Sequence, residues 1–180
     1  RERFEAHLAE FELPMPDRLD RLSHGQKKKF LLAFGLSTGA RFLLLDEPTN
    51  GLDIPSKGQF RKILASELDA ERVILVSTHQ VRDMEHLIDP IVILDSGRIL
   101  FSQSLEDFSA RYSLLHGEVP PGARVLHEEH VLGKSLSLVE GVHPGALPLD
   151  LEFLFKAVTA APDHFTAAPA ATARPEVAHA

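Results

Sequence analysis

The 180 residues include no cysteine. That absence excludes disulfides, thiolate metal sites and cysteine nucleophiles, although it says little about compartment. No apolar run approaches the roughly 20 residues needed to cross a bilayer, and the opening RERFEAHLAEF lacks the hydrophobic stretch of a signal peptide. The expectation is therefore a cytosolic chain. An excess of positive charge is lacking too. A formal net charge of -7 argues against broad nucleic-acid binding, which needs a basic face to neutralise phosphates. The one basic run, Lys27 to Lys29, reads as the solvated side of a helix. What is present is enough apolar residue, 44%, for one soluble globular domain with a real core.

Short apolar runs alternate with helical patterns. Phe4, Leu8 and Phe11 have helical spacing until Pro14 and Pro16 break it. Ser23 suits the N-cap of a helix from His24 to about Thr38, apolar through Phe30, Leu31, Ala33 and Phe34. Phe42 to Leu45 and Val73 to Val76 read as strands covered on both faces, with a helix between them that has Pro55 in its first turn and an inward stripe of Phe60, Ile63, Leu64 and Leu68. Val81, Met84 and Ile88 mark a short helix. Ser96-Gly97 between Ile91–Leu94 and Ile99–Phe101 signals a hairpin, and Ser104 with Asp107 a capping box opening a helix to about Arg111. This pattern predicts an α/β fold, a parallel sheet covered by helices, with ligand sites at the carboxyl ends of its strands.

From Ser113 to Ala161 the texture changes to short strands around Gly133, followed by one amphipathic helix through Leu151, Leu154, Phe155 and Val158. That reads as a small α+β appendage. From Pro162 onward alanine, proline and threonine dominate, and the expectation is a disordered tail.

The chemistry-bearing residues sit where the strands end. Asp46 and Glu47 close the first apolar run, as a helix cap or surface turn often does. LSHGQ, Leu22 to Gln26, directly precedes a helix, whose free amides and partial positive charge allow Ser23, Gly25 and Gln26 to cradle a phosphate; serine there is also a common cap with no ligand. The loop Pro48 to Asp53 adds another acid, Asp53. His79 ends the second strand, on the same sheet edge as Asp46 and Glu47.

In this order and spacing, from about Leu13 to Phe108, the pieces closely resemble the second half of the ATP-binding subunit of an ABC transporter, a fold of P-loop NTPase type. LSHGQ looks like the family's signature, FLLLDE like its Walker B strand, NGLD like its D-loop and THQ like its switch histidine. The resemblance implies ATP and Mg²⁺ as cofactors. Asp46 would hold the metal, Glu47 would orient and deprotonate the attacking water, and His79 would contact the γ-phosphate. Ser23, His24, Gly25, Gln26 and Asp53 would act across a dimer on nucleotide held by a second ATP-binding subunit. His24 stands where the signature usually has glycine. Residues 1–40 would belong to the helical signature subdomain, 41–112 to the catalytic core, 113–161 to an accessory domain and 162–180 to the tail.

The family's phosphate loop, G-x-x-x-x-G-K-[ST], is missing. The one G-K-S, Gly133-Lys134-Ser135, would place the leading glycine on Glu128, outside any strand–loop–helix context. His127-Glu-Glu-His130 has its histidines three apart, where a zinc helix needs four. The expectation is a fragment of a longer subunit, without tight ATP binding of its own. It would pair with a transmembrane permease on the inner face of the membrane, and the hairpin ILDSGRILF and the appendage resemble export-type systems. Two alternatives are the head of a chromosome-maintenance or DNA-repair ATPase, and a non-catalytic module completing a partner's site.

Overall fold

The computed structural model describes residues 1–84, 87–131 and 133–165. It divides into two compact units, Arg1–Leu87 and Ile88–Ala180. Residues 88–112 belong to the second unit.

The first unit starts with α1, Glu2–Glu10, which buries Leu8 and leads into the fully buried Phe11. Phe4 meets Phe30 and Phe34 edge-on at centroid distances of 5.3 and 6.0 Å, an arrangement that aromatic quadrupoles favour. Helix α2, His24–Ser37, is N-capped by Ser23 in a reciprocal capping box with Gln26. Its buried residues are Leu32, Ala33 and Leu36, while Leu31 and Phe34 are exposed. Strand β1, Phe42–Asp46, α3, Ile54–Ser66, and β2, Val73–Ser77, follow. Asp53 caps α3, Pro55 sits in its first turn, and Phe60, Ile63 and Leu64 point inward; Leu68 lies beyond the helix end and is exposed. A 3-10 turn, Val81–Met84, stands where the short helix was expected, with Met84 buried.

Strands β1 and β2 pair in parallel, Phe42 opposite Val73 through Asp46 opposite Ser77. Here the sequence expectation needs correction. Among the described residues the parallel sheet has two strands, and one of its faces is open: Phe42, Leu44, Val73 and Leu75 are 49–64% exposed. Side chains alternate between faces with a period of two, and the other set, Leu43, Leu45, Ile74 and Val76, is half-buried. Leu43 Cδ1 approaches to 3.9 Å of the Cβ position of Gly35 on α2. Among the described residues nothing covers the first face.

A buried ionic cluster ties this unit together. The Glu67 and Arg72 side chains are 7% and 6% exposed and meet at 2.6 Å. Arg72 also donates to the carbonyls of Leu36 and Ala40. His7 on α1 reaches Glu67 at 3.0 Å and lies 3.3 Å from the Ala33 carbonyl, with Arg3 at the rim. Every charge in the cluster has a hydrogen-bonding partner, as burial demands.

In the second unit β3, Ile91–Asp95, and β4, Arg98–Gln103, form a hairpin whose turn residues Ser96 and Gly97 both have positive φ, 48° and 75°, as a type I′ turn requires. Helix α4, Leu105–Ser109, is capped by Ser104 and stops short of Arg111. Then β5, Tyr112–His116, β6, Val125–Val131, and β7, Lys134–Glu140, make an antiparallel sheet in the order β5-β7-β6, accompanied by α5, Leu151–Ala160. Asp150 caps α5, whose buried residues include Leu151, Leu154 and Val158, whereas Phe155 is exposed. Gly133, at φ 79°, leads directly into β7, so Gly133-Lys134-Ser135 belongs to a hairpin. His127 to His130 lie on β6. Within the stretch expected as tail, Pro162–His164 is a 3-10 turn and Phe165, 3% exposed, packs on Phe108 and Tyr112. Residues 166–180 lie outside the described residues.

Candidate functional site

The parallel register sets the site. Because Asp46 pairs with Ser77, the residues following each strand emerge side by side at the carboxyl end of the sheet. The Glu47 amide extends the ladder by donating to the Ser77 carbonyl at 2.9 Å. Ser77 Oγ donates to the exposed Asp46 carboxylate. Glu47 Oε1 accepts from the His79 amide at 3.0 Å and lies 2.7 Å from His79 Nδ1, while Thr78 Oγ1 donates to Oε2 at 3.3 Å. The His79 bond is the largest cause holding the Glu47 carboxyl below its ordinary value; partial burial opposes it, and the His79 amide and charge and the Thr78 hydroxyl reinforce it. Glu47 is thus ionised at neutral pH. Its backbone is in the left-handed region, at φ 44°, a costly conformation for a residue with a side chain.

Helix α2 approaches the same loop with its amino end. Ser23 Oγ accepts from the Gln26 amide at 3.3 Å, and Gln26 Oε1 accepts from the Ser23 amide at 2.9 Å. The serine proton remains available to donate, because the cap uses only its oxygen lone pair. The His24 ring lies over Gly51: a Cβ there would stand 3.5 Å from Cε1. A Cβ on Gly25 would stand 3.8 Å from the Gly51 carbonyl. Asp53 serves the fold at once as a cap, accepting from the Ser56 amide at 3.0 Å; the Ser56 side chain is the largest cause lowering its carboxyl below the ordinary value, with the Ser56 amide next and the Lys29 charge a lesser one.

Of the residues singled out in the sequence, Asp46, Glu47 and His79 come together at one rim of the sheet. Ser23, His24, Gly25 and Gln26 stand at the head of a separate helix, with His24 and Gly25 touching the loop that ends in Asp53. Sequence reasoning gave no role to Ser77 and Thr78, although both lie in the polar cluster ending β2. It also missed Lys28, whose ammonium donates to the Glu47 carbonyl at 2.8 Å, and Lys57, which lies 2.8 Å from Gln80 Oε1 and 2.7 Å from Asp83. The Lys27–Lys29 run is not simply solvated: Lys28 and Lys29 are half-buried and both bond backbone carbonyls. Nothing local distinguishes Lys28 from Lys27.

Residues 1–50 match the family model described as ABC transporter. Over 93 residues the chain is 36% identical to the Nod factor export ATP-binding protein I of Neorhizobium galegae, a match covering 52% of this chain and 27% of that protein. Over 79 residues it is 38% identical to a cobalt import ATP-binding protein of Salmonella typhimurium, covering 44% and 29% respectively. The chain spans little more than a quarter of the length of these curated relatives. A solved ATP-binding subunit of an ABC transporter superposes with a TM-score of 0.52 at 26% identity, over 59% of this chain and 45% of that one. A cobalt transport ATP-binding protein superposes at 0.51 with 20% identity, a likeness of fold alone. The likeness throughout is to the ATP-binding domain of ABC transporters.

Proposed function

We propose that this chain is the carboxyl-terminal part of the ATP-binding and ATP-hydrolysing subunit of an ABC transporter of the export type. One observation carries the reading: the Asp46 and Glu47 carboxylates and the His79 imidazole meet at the carboxyl ends of β1 and β2, while the head of α2 stands against the adjoining loop. The export assignment draws on the appended second unit and on the Nod factor export relative.

The residues fit Mg-ATP. Asp46 is exposed at a strand end, and among the described residues no three acids or histidines form a metal cage. One carboxylate completed by phosphate oxygens is how proteins usually hold magnesium. When bound, Mg²⁺ neutralises phosphate charge, which phosphoryl transfer chiefly requires. Asp46 would anchor the cation. Glu47, whose carboxyl His79 holds below its ordinary value, would receive a water proton on its carboxylate. If His79 turned toward phosphate, Glu47 would lose the contact that most lowers its basicity, so phosphate sensing and base strength are linked through one bond. Ser23 Oγ–H and the free His24 and Gly25 amides would face the nucleotide of a second ATP-binding subunit.

The phosphate-gripping loop has no counterpart in these 180 residues and would come from a segment outside them. The uncovered apolar face of β1 and β2 suits such a neighbour. A transmembrane permease would couple the closed dimer to transport, placing the subunit on the inner face of the membrane. Among the described residues no helix is long and apolar enough to cross it.

The test is Glu47→Gln in the assembly that contains the phosphate loop. Turnover should fall by roughly 10²- to 10⁴-fold while an ATP-bound dimer accumulates. Unchanged turnover would overturn the reading in favour of a non-catalytic module. Separately, micromolar ATP binding by the 180-residue chain alone would overturn the claim that the grip lies elsewhere.

A further inference from the structure

The carbonyl of Glu47 is held from two sides. Asn50 N–H donates to it at 3.2 Å, which is the local turn of the loop, and Lys28 Nζ donates to it at 2.8 Å from the second turn of α2. On the other side of the residue, the Glu47 amide is fixed to β2 through the Ser77 carbonyl. These bonds together clamp both peptide planes around a Cα whose φ of 44° a side chain normally avoids. The direction of the Cα–Cβ bond, and hence the aim of the carboxylate, follows from those two planes. The turn bond moves with the loop and cannot by itself hold the loop against anything. Lys28 brings a bond from a different element, so it alone of the two carbonyl donors relates Glu47 to α2.

Lys28 lies one helical turn beyond His24, and residues i and i+4 share a helix face. That face of α2 meets the loop twice, His24 over Gly51 and Lys28 at Glu47. A shift of the helix head would therefore be felt at both ends of the segment Glu47–Gly51.

We propose that Lys28 is a positioning residue for Glu47: its ammonium holds the Glu47 carbonyl, maintains the left-handed backbone that aims the carboxylate, and transmits displacement of α2 to that carboxylate. This rests on the ATPase reading above. An aim set through backbone clamps is sensitive, since a misplacement of about 1 Å of a reacting group can cost on the order of 10²-fold in rate. Lys28 touches no reacting atom and acts only through Glu47. Its loss therefore alters the chemical step and leaves nucleotide affinity in place.

The experiment compares Lys28→Met and Lys28→Arg in the ATP-hydrolysing assembly. Methionine keeps the length and apolar stem but donates nothing; arginine can still donate to the carbonyl. Lys28→Met should lower kcat by roughly ten- to a hundredfold with KM for ATP within about twofold, and Lys28→Arg should keep most of the wild-type kcat. In a Glu47→Gln background, Lys28→Met should cause no further loss, because residues acting as one unit are not additive. If the methionine variant does not fold, Lys28→Gln, too short to reach, gives the same comparison. An unchanged kcat in a folded Met or Gln variant, or an equal loss in the arginine variant, overturns the proposal. The two readings fail differently. A wild-type assembly whose turnover ignores Glu47→Gln sinks the ATPase reading, whereas sensitivity to Glu47→Gln with indifference to Lys28→Met sinks only the role of Lys28.

Discussion

Replacing Arg72 by methionine should remove a large part of the first unit's stability, and the cluster around it sets the size of the effect. The Arg72 side chain is 6% exposed and makes three hydrogen-bonding contacts, to Glu67 at 2.6 Å, the Leu36 carbonyl at 2.9 Å and the Ala40 carbonyl at 3.0 Å. Removing one partner of a buried ion pair costs about 3–5 kcal/mol, since the other charge is left in a poorly solvated place. His7 at 3.0 Å and the rim Arg3 at 3.4 Å still face Glu67, which favours the lower part of that range. The two carbonyls lose bonds worth roughly 1 kcal/mol each, which moves the total back up. About 4 kcal/mol is a large part of the roughly 5–15 kcal/mol that stabilises a whole domain. For a unit of this size each kcal/mol shifts the melting temperature by roughly 4–8 °C, so a fall of at least about 15 °C is expected. The chain has no tryptophan, and its one tyrosine lies in the second unit, so intrinsic fluorescence does not report on this event. Native-state amide exchange of α1 and α3 does, and its opening free energy should fall by the stated amount. The double variant Glu67→Met with Arg72→Met should recover part of the loss, because it leaves no orphaned carboxylate. An opening free energy within about 1 kcal/mol of wild type, or a double variant no more stable than Arg72→Met alone, would refute the reasoning.

Other perturbations follow from the same contacts. His79→Ala should raise the Glu47 carboxyl toward its ordinary value of 4.5, read by side-chain NMR titration, because the dominant lowering contact is gone. Asp53→Ala should lower the midpoint of chemical denaturation at neutral pH through loss of the α3 cap. The wild-type Asp53 contribution has a definite pH sense: its folded-state value lies below the ordinary 3.8, so the stabilisation is complete above 3.8 and fades as pH falls through the lowered value. Denaturation of wild type and variant should therefore converge in strong acid. Phe165→Ala should destabilise the second unit by roughly 3–5 kcal/mol, as for a fully buried aromatic, and should change the near-UV circular dichroism of Tyr112, whose ring lies 6.0 Å from that of Phe165.

Much of the local structure was legible in the residues. Ser23 with Gln26, Asp53 with Pro55, and Ser96-Gly97 each specify their geometry through neighbours within one turn, and the structure shows the cap, the helix start and the hairpin there. The candidate site was half legible. Asp46, Glu47 and His79 were each visible as polar groups ending apolar runs, because both strand ends lie on one edge of a parallel sheet. Lys28 was not visible, since its partner is 19 residues away and its neighbours are also lysines.

Sequence by itself thus determined most of the longer helices and the strands, several of their caps, and that carboxylates and an imidazole close β1 and β2. Tertiary structure decided that His79 bonds Glu47 across 32 residues, that Lys28 holds the Glu47 carbonyl, that one face of β1 and β2 stays open, and that Phe165 is buried. The reason lies in the range of the forces. Propensities, caps and turns act within a few residues, whereas register and burial are settled only when the whole chain chooses which apolar faces to bring together, and a slip of one residue would reverse every side chain of a strand.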